Sequence, residues 1–235
     1  MLDFKDAAKY YKELSHQAEA WDYLNENIPR RIINKFAELY RNSPIEPEEP
    51  EHQRVPAEYV SKYELAGIWN CAQSLIDDYE IDELNRCLQE WDIVSPLRIR
   101  HFLSQTAHES GGGKWKKELS DGWYLEGRTD IGNTQAGDGP KYKGAGYIQL
   151  TGRANYQDFS NWKKTDAKIM DIGCNHVAEE YPFTSAGFWW VNNKMNELCD
   201  TNPSVEQVTL RVNGGYNGLD DRKYYYGRCE QYIKD

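Results

Sequence analysis

Long apolar runs are scarce in this chain of 235 residues. The longest, such as AGFWWV at 186–191, fall far short of the ~18 residues a membrane-crossing helix needs, so no membrane partner is expected. The N-terminus, MLDFKDAAKYYKEL, is charged throughout and has no apolar centre, which argues against a secretory leader. Positive charge is also in deficit. Lys and Arg number 28 against 38 Asp and Glu, a net charge of −10, which argues against nucleic acid as a partner, since that requires a basic face. The same balance gives no long-range help toward anionic polymers, so affinity for one has to come from short-range contacts. Paired cysteines are missing too. Cys71, Cys87, Cys174, Cys199 and Cys229 are odd in number and widely spaced, with no C-x-x-C. A zinc knot or a disulfide framework is therefore not expected, and reduced, mostly buried thiols are, with one bridge left open. No internal repeat is visible.

Aromatic residues, by contrast, make up 13% of the chain, with eight Trp and seventeen Tyr. They supply core, and they also suit stacking on flat sugar faces.

The stretch SPIEPEEPEHQRVP (43–56) carries four prolines and four glutamates. It can hold neither a helix nor a central strand and reads as an extended, self-repelling linker over residues 43–57. Residues 1–42 ahead of it show helical spacing at Phe4, Ala7, Ala8 and Tyr11, and again at Ile32, Ile33, Phe36, Leu39 and Tyr40. This N-terminal helical segment balances seven acidic against seven basic residues. Either a helical appendage or a small wall- or partner-binding module fits. Residues 58–235 read as one mainly α domain. AEYVSKYELAGIWNCAQSLI and YEIDELNRCLQEWDI carry helical apolar spacing. SPLRIRHFLSQTAHES opens with Ser95 as N-cap and Pro96 in the first turn. GAGYIQLTG (144–152) alternates between flanking glycines and reads as a strand, with Tyr147, Gln149 and Thr151 on one face and Ile148 and Leu150 on the other.

A chemical question arises where that third helix ends. Glu109 falls in its last turn, before Gly111, Gly112 and Gly113, which are expected to stop the helix and leave the backbone open. A helix C-terminus disfavours an anion, a placement suited to a carboxyl group that must hold a proton. Hydrolysis of a glycosidic bond needs a second carboxyl group across the site. Glu118, Asp121 and Glu126 all follow, in KWKKELSDGWYLEGR, a stretch too polar for a core strand and too aromatic for an idle loop. RVNGGYNG (211–218) marks a tight turn that could hold the Asn213 side chain at a binding site.

Together these pieces resemble glycoside hydrolase family 19, the chitinases and the chitinase-like lysozymes of phages. FLSQTAHESGG, GDGPKYKGAGYIQLTGRANY, FTSAGFWW and RVNGGYNGLDDRKYYY occur in family order, over roughly residues 63–232. The resemblance implies an α+β, lysozyme-like fold: a helical catalytic domain with a small β-strand region lining the cleft. It implies an inverting mechanism with Glu109 as general acid, Glu118 as general base and Ser120 helping to hold the water, Glu126 being the rival for the second carboxylate. An inverting pair stands roughly 6.5–9.5 Å apart. Gln149, Thr151 and Asn155 resemble sugar-binding positions, Tyr147 is expected beside them, and Asn213 resembles a substrate-contacting asparagine. His108 is expected to brace the loop or Glu109. No cofactor and no metal is required, and His101 and His108 form no H-E-x-x-H. The form of the second motif is closer to phage and bacterial lysozymes than to plant chitinases. The expected partner is therefore peptidoglycan, cut between N-acetylmuramic acid and N-acetylglucosamine. Such an endolysin would be made in the host bacterial cytoplasm and act as a monomer on the cell wall, after holin-type release or as a virion component. A chitinase is the alternative, and a non-catalytic glycan-binding phage structural protein is the alternative of another class.

Overall fold

The computed structural model describes residues 57–234. The readings for residues 1–42 and for nearly all of the 43–57 linker lie outside the described residues. From Lys62 onward the chain is an array of helices: α1 Lys62–Trp69, α2 Asp78–Glu90, α3 Pro96–Ser110, α4 Asp138–Lys141, α5 Arg153–Lys163, α6 Lys168–Ile172, α7 Cys174–Glu180, α8 Pro182–Asn192, α9 Met195–Cys199, α10 Val205–Asn213 and α11 Leu219–Tyr232.

Local signals explain most boundaries. Ser61 and Glu64 form a capping box at α1, and the Asp77 carboxylate accepts the Glu80 amide at the start of α2. Ser95 accepts the Arg98 amide at 3.3 Å with Pro96 in the first turn of α3, as expected. α1 is shorter than its apolar spacing suggests. It stops at Trp69 because Asn70 turns left-handed, and Leu75 ends up exposed on a 3-10 turn.

Two apolar cores result. The larger surrounds α3 and draws on α1, α2, α8, α9, α10 and α11. Trp69 stacks on Phe183 at 6.0 Å and Phe102 meets Trp190 edge-on at 5.3 Å. Each such ring contributes roughly 1.5–3 kcal/mol by leaving water. The smaller core gathers Tyr142, Ala145, Leu150, Tyr156, Phe159, Ile169 and Val177 around α5, α6 and α7. Trp91 on Trp162, at 4.4 Å, joins the two. All five cysteines are free thiols, four of them buried, so the one open bridge does not form. No described helix is long and apolar enough to cross a membrane.

The expected strand at 144–152 is not there. The chain folds back on itself, leaving only isolated bridges between Lys117 and Ala145 and between Ala145 and Leu150. Gly146 and Gln149 both take positive φ, +74° and +59°, which a strand cannot accommodate. A Cβ at Gly146 would collide with Ser185. Tyr147 therefore does not share a face with Gln149 and Thr151. It is fully buried in the larger core, 4.4 Å from the Phe183 ring, with its hydroxyl donating to Glu80. It is a packing residue, and the expectation of a substrate contact there is corrected.

Candidate active site

Glu109 lies one residue before the end of α3. Its Oε1 is held by Nη2 of Arg222, a side chain with no solvent exposure, while Glu109 itself is 25% exposed. The same guanidinium donates through Nη1 to Gln105 Oε1 and through Nε to the Asn217 carbonyl at 3.3 Å. Gln105 Nε2 in turn donates to Thr209 Oγ1 at 3.4 Å. One buried cation thus ties α3, α10, α11 and the loop between the last two to the carboxylate. Removing the buried guanidinium would strand the acceptors it serves, at a cost of about 3 kcal/mol. The second oxygen of Glu109, Oε2, takes no hydrogen bond from the described residues.

His108 braces the same corner. Its Nδ1 lies 2.7 Å from Asp221 Oδ2, and its ring presses on Gly218. It supports the α11 end of the loop, with its ring partly exposed. Asn213 is the exposed last residue of α10, ahead of the left-handed Gly214.

After Glu109, the three glycines do end α3, at φ +60°, +70° and +81°. Their backbone is not open, however. A Cβ at Gly113 would collide with the Trp69 ring, and one at Gly112 would lie 3.1 Å from the Trp69 carbonyl. The glycines let the turn lie flat on α1.

The chain then leads to Glu118. The Glu118 amide donates to the Gly144 carbonyl at 2.9 Å, and Gly144 N–H returns a bond to Glu118 Oε2 at 3.2 Å. Tyr124 stands beside this carboxylate. Partial burial and the Glu118 charge both hold its phenol above the ordinary range. Ser120 is exposed. Its Oγ accepts the Gly122 amide at 3.2 Å, and its carbonyl accepts Lys143 Nζ. The other two candidate carboxylates have structural employment. Asp121 accepts the Trp123 amide at 3.0 Å. Glu126 accepts Gly137 N–H at 2.7 Å and Gly139 N–H at 2.8 Å, one on each oxygen, which clasps the loop to the start of α4.

Gln149, Thr151 and Asn155 come together as a relay. Asn155 Nδ2 donates to the Thr151 carbonyl and Thr151 Oγ1 donates to the Gln149 carbonyl, both at 2.8 Å. Arg153 secures this strip through Asp138, with its Nε 2.8 Å from Asp138 Oδ2. Trp123 and Tyr124 are 59% and 61% exposed, an unusual surplus of aromatic surface beside carboxylates. No group of described residues could hold a metal ion.

Arg222 escaped the sequence reading, although a signal exists. It shares the buried stripe of α11 with Tyr225 and Cys229. A guanidinium on such a stripe demands a buried acceptor.

Solved structures with this fold include chitinase C from Streptomyces griseus HUT6037, at TM-score 0.57 and 16% identity over 74% of this chain and 76% of that one. A family GH19 class IV chitinase from Zea mays matches at TM-score 0.59 and 18% identity, over 77% of this chain and 96% of that one. These likenesses establish a shared helical fold. A Haemophilus influenzae protein described as a glycosyl hydrolase family 19 domain-containing protein is 32% identical over 57% of this chain and 78% of its own length. No family model matches the chain. By that relative and that fold, the chain belongs to glycoside hydrolase family 19 and is a chitinase-like glycoside hydrolase.

Proposed function

We propose that the protein is a lysozyme that hydrolyses the β-1,4 bond between N-acetylmuramic acid and N-acetylglucosamine in peptidoglycan. In this reading it serves as a phage endolysin that acts on the cell wall after release from the host cytoplasm or as part of a virion. The observation that carries the catalytic part is the contrast among the acidic side chains. Glu109 is anchored by Arg222 through one oxygen, with Oε2 left for a proton. Glu118 keeps a partly exposed carboxylate on a polar, aromatic segment, while Glu126 has both oxygens occupied.

Glu109 Oε2 donates its proton to the leaving glycosidic oxygen as the bond to the anomeric carbon breaks. Glu118 removes a proton from a water on the opposite ring face, and the hydroxyl adds to the anomeric carbon with inversion. Ser120 helps to hold that water. Gln149, Thr151, Asn155 and Asn213 hold sugar hydroxyl and acetamido groups. The peptidoglycan choice rests on the motif GDGPKYKGAGYIQLTGRANY. Cleavage of chitin is the second reading, favoured by the chitinases among the solved neighbours.

Mass spectrometry of products from purified peptidoglycan and from chitin oligomers decides between them. Fragments with reducing N-acetylmuramic acid ends are expected. Cleavage of chitin alone would establish the second reading, and cleavage of neither would leave a binding protein. Proton NMR of the fresh product checks the stereochemistry, with the α-anomer expected first.

A further inference from the structure

A groove beyond the glycine turn combines an aromatic platform with unneutralised cations. It has a volume of about 570 Å³ and is lined by Lys114, Trp115, Lys116, Lys117, Asn175 and Glu179, among others. One wall is the segment that follows the glycine turn and the other is α7. Trp115 is 48% exposed. Lys116 is neutralised by Glu80 at 2.8 Å. Lys117 Nζ reaches only a neutral partner, Asn175 Oδ1, at 2.6 Å. Lys114 has no ion pair or hydrogen bond among the described residues. Two lysines thus face a single lining carboxylate, Glu179, in a chain whose net charge is −10.

That contrast narrows the ligand. Beyond a Debye length of about 8 Å the protein repels polyanions, so the groove suits an isolated carboxylate on an otherwise neutral molecule. An exposed indole adds a flat apolar face for a sugar ring. Lys117 and Glu118 are consecutive and pair with the same 144–146 turn, yet Lys117 reaches α7 while Glu118 reaches Gly144. The groove and the second carboxylate share one segment without sharing a surface.

We propose that this groove binds a carboxylate-bearing saccharide, with the sugar face on Trp115 and the carboxylate at Lys114 and Lys117. It deepens the peptidoglycan reading and rests on it, because a muramoyl sugar with its peptide stem carries such carboxylates and chitin carries none.

The test is calorimetric titration of the full chain with muramoyl dipeptide, and separately with N-acetylglucosamine. The intact protein binds the dipeptide, and Lys114→Gln/Lys117→Gln weakens binding about tenfold. N-acetylglucosamine does not distinguish the two proteins, and added salt weakens the intact protein more than the variant. Lys114→Gln alone, at an exposed and unpaired side chain, gives a smaller loss in the same direction and guards against a folding defect. Absence of binding by the intact protein, or equal binding by the variants, overturns the proposal. Peptidoglycan cleavage by the same sample is read separately. Lysine-dependent binding without cleavage upholds the groove and defeats the lysozyme reading, and cleavage without binding does the reverse.

Discussion

Glu109 and Glu118 are nine residues apart and are mounted in opposite ways. Glu109 sits on a fifteen-residue helix inside the larger core, and a fully buried guanidinium grips it from α11. Glu118 sits on irregular chain beside the smaller core, held by one amide at 3.2 Å and flanked by a largely exposed tyrosine. A proton donor must meet a fixed bond, which rewards rigidity. A group that activates water tolerates, and gains from, access to solvent. Under the proposed mechanism the difference separates two costs of mutation: at Glu118 it should fall on rate alone, and around Glu109 on rate and on the fold.

The largest effect is expected from Glu109→Gln, which should lower turnover by about 10³-fold while polymer binding survives. Reducing-end release and cosedimentation with the polymer measure the two, and undiminished turnover would remove Glu109 from the acid role. Glu118→Gln should cost about 10²-fold in turnover, with stability unchanged within about 0.5 kcal/mol in urea denaturation. A marked stability loss there would erase the contrast. Arg222→Met should behave as the fold-linked counterpart and lose about 3 kcal/mol by the same method, because Gln105 and Glu109 lose their buried partner.

Two opposed titrations sharpen the comparison, since both arise on helices of the larger core. Burial holds the His101 imidazole down at about 4 from its ordinary 6.5. Its contribution is present above pH 6.5 and is lost as pH falls through 4. Burial likewise pushes Glu83 up to about 7 from 4.5, against the amides of Phe183 and Thr184 at the start of α8. Its contribution is present below pH 4.5 and is lost as pH rises through 7. The two windows overlap between pH 4.5 and 6.5, where the His101 gain offsets the Glu83 loss, so stability should stay nearly level there, each contribution being worth about 3 kcal/mol at most. Denaturation midpoints across that range check it, and His101→Phe should uncover the Glu83 effect as a fall in stability from pH 4.5 to 7. The smallest effect belongs to Glu126→Gln, about 1 kcal/mol from the loosened clasp. If its turnover fell further than that of Glu118→Gln, the two glutamates would exchange roles.

What could be read from the sequence follows the range of the forces involved. α3 was legible from end to end because Ser95, Pro96 and Gly111 act on their own neighbours. The helical fold and the family motifs were legible for the same reason. The 144–152 turn was misread because alternation is necessary for a strand but not sufficient. Gly146 and Gln149 take left-handed backbone, and Tyr147 is drawn inward by Glu80, 67 residues away. Arg222 was invisible beside Glu109 because 113 residues separate them. Glu126 matched Glu118 in type and in neighbourhood, and only the Gly137 and Gly139 amides, brought in by the turn before α4, tell the two apart.

The free thiols turn this two-core construction into a clock. Cys87, Cys199 and Cys229 lie in the larger core and Cys174 in the smaller, while Cys71 is half-buried. In a timed pulse of alkylating reagent, followed by peptide mapping, each thiol is marked only once the packing around it opens. The order in which Cys174 and the other three acquire label then gives the order in which the two halves of the fold come apart, without any residue having been replaced.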